Sequence, residues 1–248
     1  GGPAGVMAAS ERVEKTPGLH VIVIESGKDI YHRVCPISAG KVKSCIGCKP
    51  CSIMRGFGGA GAFSDGKYNF TTKFGGWLNE YLPDEEVMEL IAYDDKINMK
   101  HGAPSQVFST KNSDIGRLAL QHDLHLLSAS VRHLGTENNL RMLEQTYEYL
   151  KEKVEFRFEC PVAHIESDGQ GDNMLELANG EKIEADFLVI APGRAGAEWF
   201  SNECNRLGIE QENNRVDVGV RVEVPDEVWN DITSQVYEAK LLYRTKQY

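Results

Sequence analysis

The sequence has 248 residues, of which 41% are hydrophobic and 26% are charged. This balance is typical of a globular protein with an apolar core, and it excludes an intrinsically disordered chain and a disulfide-bonded miniprotein. The 37 acidic residues exceed the 27 basic residues, so the formal charge is −10. Nucleic acid is therefore disfavoured as the main partner, because phosphate binding depends on clustered Lys and Arg.

Two further features concern location in the cell. The sequence has no run of about 18 apolar residues, so it predicts no membrane-spanning segment. The chain does not open with a signal-peptide pattern, and three of its six cysteines lie in one tight group. We therefore expect a reducing compartment, with the cytoplasm as the default.

The first 25 residues contain the pattern of a dinucleotide-binding unit. A glycine-rich turn, Gly1 to Gly5, precedes small residues suited to a helix that packs closely on a sheet. The near-continuous apolar run from Leu19 to Glu25 is typical of a parallel strand buried on both faces. Turn, helix and strand in this order predict part of a βαβ unit that binds a dinucleotide.

Individual residues of this unit have separate tasks. In the motif G-x-G-x-x-G, Gly2 lets the backbone approach a pyrophosphate, Gly5 permits close helix–sheet contact, and the helix N-terminus favours negative charge. Glu25, twenty residues after Gly5, can bind both ribose hydroxyls. We expect the first glycine and the first strand of the motif upstream of residue 1. The alternatives are a glycine-rich loop before an ordinary helix and, for Glu25, an acid of the kind that often ends a strand.

The segment over residues 26–67 is irregular and rich in glycine and cysteine. It contains Cys45-x-x-Cys48-x-x-Cys51, with Cys35 ten residues before the first of these. Thiolates at this spacing are suited to a [4Fe–4S] cluster or, less well, to a structural zinc ion. The alternatives are a redox-active thiol pair and a reduced loop without metal.

The rest of the chain predicts helices and strands in an order typical of an α/β protein. Helices are expected over 84–100, 113–127 and 137–153, and another carries Trp199, Phe200 and Leu207. Strands are expected over 128–132, 154–158, 162–166, 174–178, 182–185, 186–191 and 216–224. The three strands between residues 162 and 185 predict an antiparallel meander with a tight turn at Asn179-Gly180. The run 186–191 predicts a second buried parallel strand.

These elements predict an α/β fold. A Rossmann-like parallel sheet carries a three-stranded β-meander, and an inserted helical region interrupts the sequence of this domain. A second, mainly β domain begins near the end of the chain. The parallel-sheet domain is expected to be discontinuous, over residues 1–72 and 129–204. The inserted helical region covers residues 73–128, and residues 205–248 begin the second domain.

The order of these parts resembles the flavoproteins with two dinucleotide-binding domains. Within that superfamily, three motifs are similar to those of the FAD-dependent, or NAD/FAD-utilising, dehydrogenases. They are the cysteine pattern at 45–51, the glycine-rich loop Gly58–Lys67, and His-Leu-Gly-Thr at 133–136. In addition, the apolar run 186–191 leads into Ala191-Pro192-Gly193, where the superfamily usually has Ala-Thr-Gly. The resemblance covers nearly the whole chain.

The resemblance implies FAD as cofactor, residues 1–72 and 129–204 as the FAD-binding domain, and residues 205–248 as the start of a substrate or cap domain. It places the adenosine near Glu25, the pyrophosphate at the first helix and the isoalloxazine ring near the loop Gly58–Lys67. The backbone of Val162 would approach the adenine, and Arg33 would contact the nucleotide. The residues implied in cofactor binding are Gly2, Pro3, Ala4, Gly5, Glu25, Ser26, Arg33, Gly58, Gly59, Ala60, Gly61, Ser64, Val162, Ala191, Pro192 and Gly193.

Lys67 and His133 are the candidate catalytic residues. Reduced flavin is anionic, so a nearby proton donor or cation favours hydride acceptance by the ring. The alternatives are a surface lysine and a histidine that precedes and caps a helix. The metal-ligand candidates remain Cys35, Cys45, Cys48 and Cys51.

The resemblance implies an FAD-dependent oxidoreductase or dehydrogenase. Hydride or electrons would pass through the flavin to or from an unidentified small-molecule substrate or electron-transfer partner, with NAD(P)H as a transient donor and an iron–sulfur cluster as a further carrier. The alternative is a non-catalytic or regulatory flavoprotein, or one that modifies RNA. The family's first strand and C-terminal portion are not in the sequence, so we expect the chain to be incomplete at both ends. A chain that in this form does not retain FAD is a further alternative.

Overall fold

The computed structural model describes residues 1–111, 113–167 and 171–245 of the chain. These residues form a mixed α/β structure with several small sheets, one of which is a parallel pair. The helices are α1 (Pro3–Lys15), α2 (Asp84–Lys100), α3 (Ile115–Leu120), α4 (Thr136–Leu150), α5 (Ala197–Arg206) and α6 (Asp226–Thr233). The strands are β1 (Ile22–Ile24), β2 (Lys67–Phe70), β3 (Phe108–Ser109), β4 (Leu124–Leu126), β5 (Ser130–His133), β6 (Glu155–Arg157), β7 (Val162–Ser167), β8 (Asn173–Leu177), β9 (Lys182–Ala185) and β10 (Leu241–Tyr243). In these ranges no helix combines the length and apolar character needed to cross a membrane.

The chain divides into two compact units, each built from two stretches of sequence. Unit 1 comprises Gly1–Ser64 and Asn139–Asn214, and unit 2 comprises Asp65–Asn138 and Arg215–Tyr248. The sequence analysis placed domain boundaries near residues 72, 129 and 204. In both divisions the N-terminal glycine turn and the meander belong to one discontinuous part of the chain.

Strand β1 packs on both faces, with Val23 buried on one and Ile22 and Ile24 half-buried on the other, as its near-continuous apolar run predicts. It pairs in parallel with β6, with Val23 opposite Phe156. Val23 belongs to a core shared with α1 and α4, whereas Ile22 and Ile24 pack against the core of the meander. Because successive side chains of a strand point to opposite faces, this one strand connects the two cores of unit 1.

The predicted meander is confirmed. Strands β7, β8 and β9 form an antiparallel three-stranded sheet. Gly180 in the β8–β9 turn has a φ of +86°, a conformation that glycine adopts without strain. The indole Nε1–H of Trp199 in α5 donates to Ala163 O at 2.9 Å and docks that helix on the sheet. The buried core residues are Ile165, Leu175, Leu177 and Ile183.

The second buried parallel strand, predicted over 186–191, is not formed in the described residues. The segment follows β9 without joining a ladder, and Phe187 and Val189 are 86% and 70% exposed. A strand needs a neighbour to bind its N–H and C=O groups, and an apolar sequence does not itself supply one. The prediction of this strand is wrong for this structure.

Unit 2 contains an antiparallel sheet in the order β2-β5-β3 and a separate antiparallel pair of β4 and β10. Helix α2 has the predicted bounds. The helix predicted over 113–127 is wrong in length, because α3 ends at Leu120 and Leu124–Leu126 form β4. Asp123 between these elements has a φ of +56°, which is incompatible with continuing a right-handed helix.

The strand predicted over 216–224 is also not formed in the part of the chain that the structure describes. Its alternating valines are exposed, Val218 by 92%. Within the described residues the segment pairs with no strand, and without a partner the alternating pattern has no face to bury. The following residues form α6 and β10, which the sequence analysis did not predict.

Candidate functional site

The N-terminal glycine turn and the loop Gly58–Gly61 lie against each other in unit 1. The Gly58 N–H donates a hydrogen bond to Gly1 O at 2.8 Å. Gly59 has a φ of +58°, and a Cβ placed on it would lie 3.1 Å from Gly2 Cα and 3.2 Å from Pro3 Cδ. The backbones therefore approach at a distance that favours glycine. Residues assigned to cofactor binding from two separate parts of the sequence are thus neighbours.

Helix α1 begins inside this glycine cluster, with Gly2 as its N-cap and Pro3 as its first residue. Among the described residues no side chain caps the helix by a hydrogen bond, and its first turn carries no acid. The first N–H groups of a helix have no carbonyl partner within it. Pro3 has no N–H, so none is left unsatisfied at its position, but the N–H groups of Ala4 and Gly5 remain available to a ligand. Such a helix end is suited to an anion such as a pyrophosphate.

Glu25 follows β1 and lies beside the same turn. Its Oε1 accepts hydrogen bonds from the N–H groups of Gly27 at 2.8 Å and Gly56 at 2.9 Å, and its Oε2 lies 3.1 Å from the backbone nitrogen of Gly1. Burial disfavours the ionised form of Glu25, and the N–H groups of Gly27 and Gly56 favour it. The carboxylate therefore serves as a hydrogen-bond acceptor beside the turn.

Arg33 has a structural role that the sequence did not predict. Its guanidinium donates hydrogen bonds to the carbonyl oxygens of Ser52 at 3.0 Å, Ile53 at 2.9 Å and Phe57 at 2.5 Å. The residue is only 4% exposed, and this burial lowers the pKa of Arg33 to about 10, against the opposing effect of Glu25. Arg33 thus joins the cysteine-containing segment to the glycine-rich loop. Its contact with a nucleotide stays a prediction.

Arg55 is a residue that sequence reasoning missed. Its Nη2 donates to Ala195 O at 2.6 Å, and its Nη1 donates to Ser26 Oγ at 3.3 Å. The half-buried guanidinium therefore connects the end of β1 to the loop that follows residues 191–193. The available signal was a cation directly before the glycine-rich loop. Planar guanidinium groups are well suited to phosphate oxygens.

The other residues implied in cofactor binding also lie in unit 1. A Cβ on Gly5 would lie 3.9 Å from Ala191 Cβ, so α1 packs against the segment Ala191-Pro192-Gly193. Val162 begins β7 next to an irregularity in the pairing with β8. Ala60 and Gly61 belong to a short 3-10 turn, and Ser64 after it donates its Oγ–H to Gly61 O at 2.7 Å.

The four cysteines of the predicted metal site line one pocket of unit 1. This pocket, which is open to solvent, contains about 290 Å³ of empty space. Backbone N–H groups of Ser38 and Ile37 donate to the sulfur of Cys35 and hold the pKa of this thiol below its usual range. In the described ranges no three His, Cys, Asp or Glu side chains form a ready site for a metal ion. The cysteines that line the pocket are Cys35, Cys45, Cys48 and Cys51.

The two candidate catalytic residues are neighbours in unit 2. Lys67 on β2 is the register partner of His133 on β5. The His133 Nε2 lies 2.6 Å from Tyr237 Oη and 3.2 Å from Asp65 Oδ2. The Lys67 Nζ donates to Glu238 Oε2 at 2.6 Å, and this contact raises the pKa of Lys67. Lys67 is therefore a cation at neutral pH, suited to stabilise negative charge and not to remove a proton.

Tyr237 completes this group, and sequence reasoning did not find it. Burial raises the pKa of Tyr237, so its phenol stays neutral and can donate a hydrogen bond. A neutral His133 Nε2 can accept that hydrogen bond, whereas a protonated Nε2 can donate to Asp65. The group can therefore hold or move one proton. Beside it, unit 2 has an open pocket with about 330 Å³ of empty space, lined in part by Phe74, Phe108, Val131, Tyr237 and Lys240.

Comparison with known proteins identifies similarity without assigning an activity. No protein-family model matches the chain. The chain is 25% identical over 229 residues to an uncharacterized protein of Clostridium beijerinckii. The match covers 92% of this chain and 36% of that protein's length. The chain therefore spans about a third of this relative.

Proposed function

We propose that the chain carries the part of a Rossmann-like site that binds the adenosine diphosphate half of FAD, in an FAD-dependent oxidoreductase of the cytoplasm. The observation that carries the proposal is the meeting of the N-terminal glycine turn with Gly59 and Glu25 at the start of α1. A reducing compartment is supported by the six cysteines, all of which are free thiols.

Space and charge at this cluster fit a dinucleotide. Gly2 has an extended backbone, and a Cβ on it would meet only Gly59 Cα within 4 Å, at a distance of 3.9 Å. The approach to the backbone here is therefore open. The first N–H groups of α1 and the Arg55 guanidinium offer donors to phosphate oxygens, and the Glu25 carboxylate offers an acceptor to ribose hydroxyls.

Bound FAD would supply the redox chemistry, because its ring can carry two electrons as a hydride or pass them singly. The residues of unit 2 are proposed to handle protons and charge. His133 Nε2 accepts a hydrogen bond from the neutral Tyr237 phenol, or carries a proton that it donates to Asp65 Oδ2. Lys67 remains protonated and stabilises negative charge. We assign these roles to His133 and Lys67 as part of the proposal.

The partner of the reaction is proposed to be a small molecule or an electron-transfer protein, with NAD(P)H as a transient donor. The open pocket of unit 2 supports a small molecule with an apolar or aromatic body. Its lining combines the rings of Phe74, Phe108 and Tyr237 with the hydroxyl of Thr110 and the ammonium of Lys240.

The test compares Gly2→Ala with Gly219→Ala. Both positions have room for a methyl group in the structure, since a Cβ on Gly219 meets nothing within 4 Å. Only the methyl group at Gly2 would occupy the space through which the pyrophosphate approaches the backbone. The expected result is a loss of FAD affinity of about tenfold or more for Gly2→Ala and no change for Gly219→Ala.

Equal FAD affinity of the wild-type protein and Gly2→Ala would contradict the assigned site. Reduction of the bound flavin then tests the activity separately. Rapid bleaching of the flavin by NADH or NADPH supports an oxidoreductase. The non-catalytic alternative is supported if neither nicotinamide reduces the bound flavin and if the flavin, once reduced by dithionite, passes no electrons to the acceptors added.

A further inference from the structure

Four cysteines separated by up to 16 positions in the sequence line a single pocket of unit 1. The other two cysteines lie elsewhere: Cys204 is buried, and Cys160 donates its thiol to Phe158 O at 3.1 Å. We propose that the four pocket thiolates of Cys35, Cys45, Cys48 and Cys51 bind a [4Fe–4S] cluster. This proposal does not depend on the flavin site.

The lining of the pocket has the chemistry of a cluster site. Besides the four cysteines it contains aliphatic residues, a proline and one serine, without His, Asp or Glu. Thiolate sulfur is the ligand that iron–sulfur clusters use. The aliphatic lining residues are Ile37, Val42 and Ile46.

The spacing of the pocket cysteines favours a cluster over a single metal ion. Four sulfurs at about 2.3 Å from one zinc ion nearly touch each other and leave no empty space between them. Among the described residues no three of these side chains stand together as a site for one ion. A cubane of four irons and four sulfides needs its four thiolates set further apart, on the walls of a wider cavity.

The positive charge of the cysteine-containing segment favours an anionic cofactor. The segment from Cys35 to Cys51 carries three lysines and no carboxylate, in a chain whose formal charge is −10. A [4Fe–4S] core of charge about +2 with four thiolates has a net charge of about −2, so nearby ammonium groups stabilise it. The lysines are Lys41, Lys43 and Lys49.

The backbone of this segment supports the same ligand set. The N–H groups of Ile37 and Ser38 already point at the Cys35 sulfur, as hydrogen-bond donors do around cluster thiolates. Gly47, between two of the cysteines, has a φ of +65°, which allows the chain to turn sharply there. Hydrogen bonds from Ala39 N to Cys35 O and from Arg55 N to Cys51 O, both at 2.9 Å, secure the two ends of the segment.

The test measures iron, acid-labile sulfide and zinc in the protein purified without oxygen, before and after incubation with ferrous iron, sulfide and a thiol reductant. The expected result is about four irons and four sulfides per chain, with a broad visible absorbance that bleaches on reduction by dithionite. Cys48→Ser and Cys35→Ser should lose most of the iron, whereas Cys160→Ser should retain it. Circular dichroism of each variant shows whether its fold is preserved.

Three results would overturn the proposal. They are one tightly bound zinc with no sulfide, reconstituted protein without iron, and equal iron content in Cys48→Ser, Cys160→Ser and the wild-type protein. The first two can be read from the wild-type protein alone, so the test stands even if a pocket variant does not fold. Because each readout is inorganic, failure here is distinguishable from failure to bind FAD.

Discussion

Gly59 faces Gly2 across the start of α1, so closely that a Cβ on Gly59 would lie 3.1 Å from Gly2 Cα. The two glycines are far apart in sequence, and each belongs to a different glycine-rich motif. Their contact places the loop 58–61 beside the helix end that is suited to a pyrophosphate. The proposed dinucleotide site depends on this contact.

Gly59→Ala tests the contact through stability. The new methyl group would press on Gly2 Cα, and alanine is strained at a φ of +58°. We expect the free energy of unfolding to fall by about 1–3 kcal/mol, measured by urea denaturation. The matched substitution Gly219→Ala should change it by less than about 0.5 kcal/mol. An unchanged midpoint for Gly59→Ala would show that the two backbones do not approach in this way.

Arg33→Lys tests the clamp between the cysteine-containing segment and the glycine-rich loop. Lysine keeps the charge but cannot reproduce the three guanidinium hydrogen bonds to Ser52, Ile53 and Phe57. The expected loss of unfolding free energy is about 2–3 kcal/mol. Arg221→Lys is the control and should be nearly neutral, because Arg221 is exposed and its Nη2 lies 3.0 Å from the exposed Glu223 Oε1. Equal effects of the two substitutions would contradict a buried clamp.

Glu203 gives unit 1 a stability that depends on pH. Its carboxylate accepts hydrogen bonds from Arg206 at 2.8 Å and from the Ile165 N–H at 2.9 Å, and it lies 3.0 Å from His164 Nδ1. The Arg206 guanidinium is the largest influence that lowers the pKa of Glu203, with help from His164 and Ile165, to about 2 from an ordinary value of 4.5. A lowered folded-state pKa adds stability above pH 4.5, and this is lost as the pH falls towards 2.

Glu203→Gln should therefore reduce the free energy of unfolding by about 2–4 kcal/mol at pH 7. The difference in unfolding free energy between the variant and the wild-type protein should become smaller as the pH falls from 4.5 towards 2. Denaturation at a series of pH values measures this difference. Glu198→Gln, at an exposed position in the same helix, is the control and should cost less than about 1 kcal/mol. A pH-independent difference would show that the Glu203 charge is not the cause.

Glu238→Gln tests the electrostatics around Lys67. The Glu238 carboxylate raises the pKa of Lys67, so its removal should lower that pKa and increase the fraction of neutral amine at a given pH. Lys67 should then react several-fold faster with an acylating reagent at pH 9, measured by mass spectrometry of the peptides. Lysines of the same sample other than Lys240, whose Nζ also lies 3.9 Å from Glu238 Oε1, serve as internal controls. Equal rates for Lys67 in both proteins would contradict the ion pair.

Much of unit 1 could be predicted from the sequence because its signals are local. The small residues after Gly5, the apolar run into Glu25 and the turn at Asn179-Gly180 each specify a helix, a buried strand or a hairpin within a short window. The structure has α1, β1 and the meander at these places. In unit 2 the sequence of α2 is likewise a local signal, and its predicted bounds agree with the observed ones.

Features that depend on distant partners could not be predicted in this way. The apolar run 186–191 has the composition of a buried strand, but a ladder requires a neighbour that composition does not reveal. Tyr237 meets His133 from 104 positions away, and no spacing in the sequence relates them. The resemblance implies a nucleotide contact for Arg33, and nothing in the sequence indicated that its guanidinium also donates to three backbone carbonyls.

The most direct measurement of the central claim is the affinity of the protein for FAD and for FMN, by equilibrium titration. The residues at the start of α1 are proposed to bind the adenosine diphosphate half, of which FMN has only one phosphate. We predict that FAD binds at least about 100-fold more tightly than FMN and that ADP competes with it. Equal affinity for FAD and FMN, or no competition by ADP, would contradict the assignment of this site.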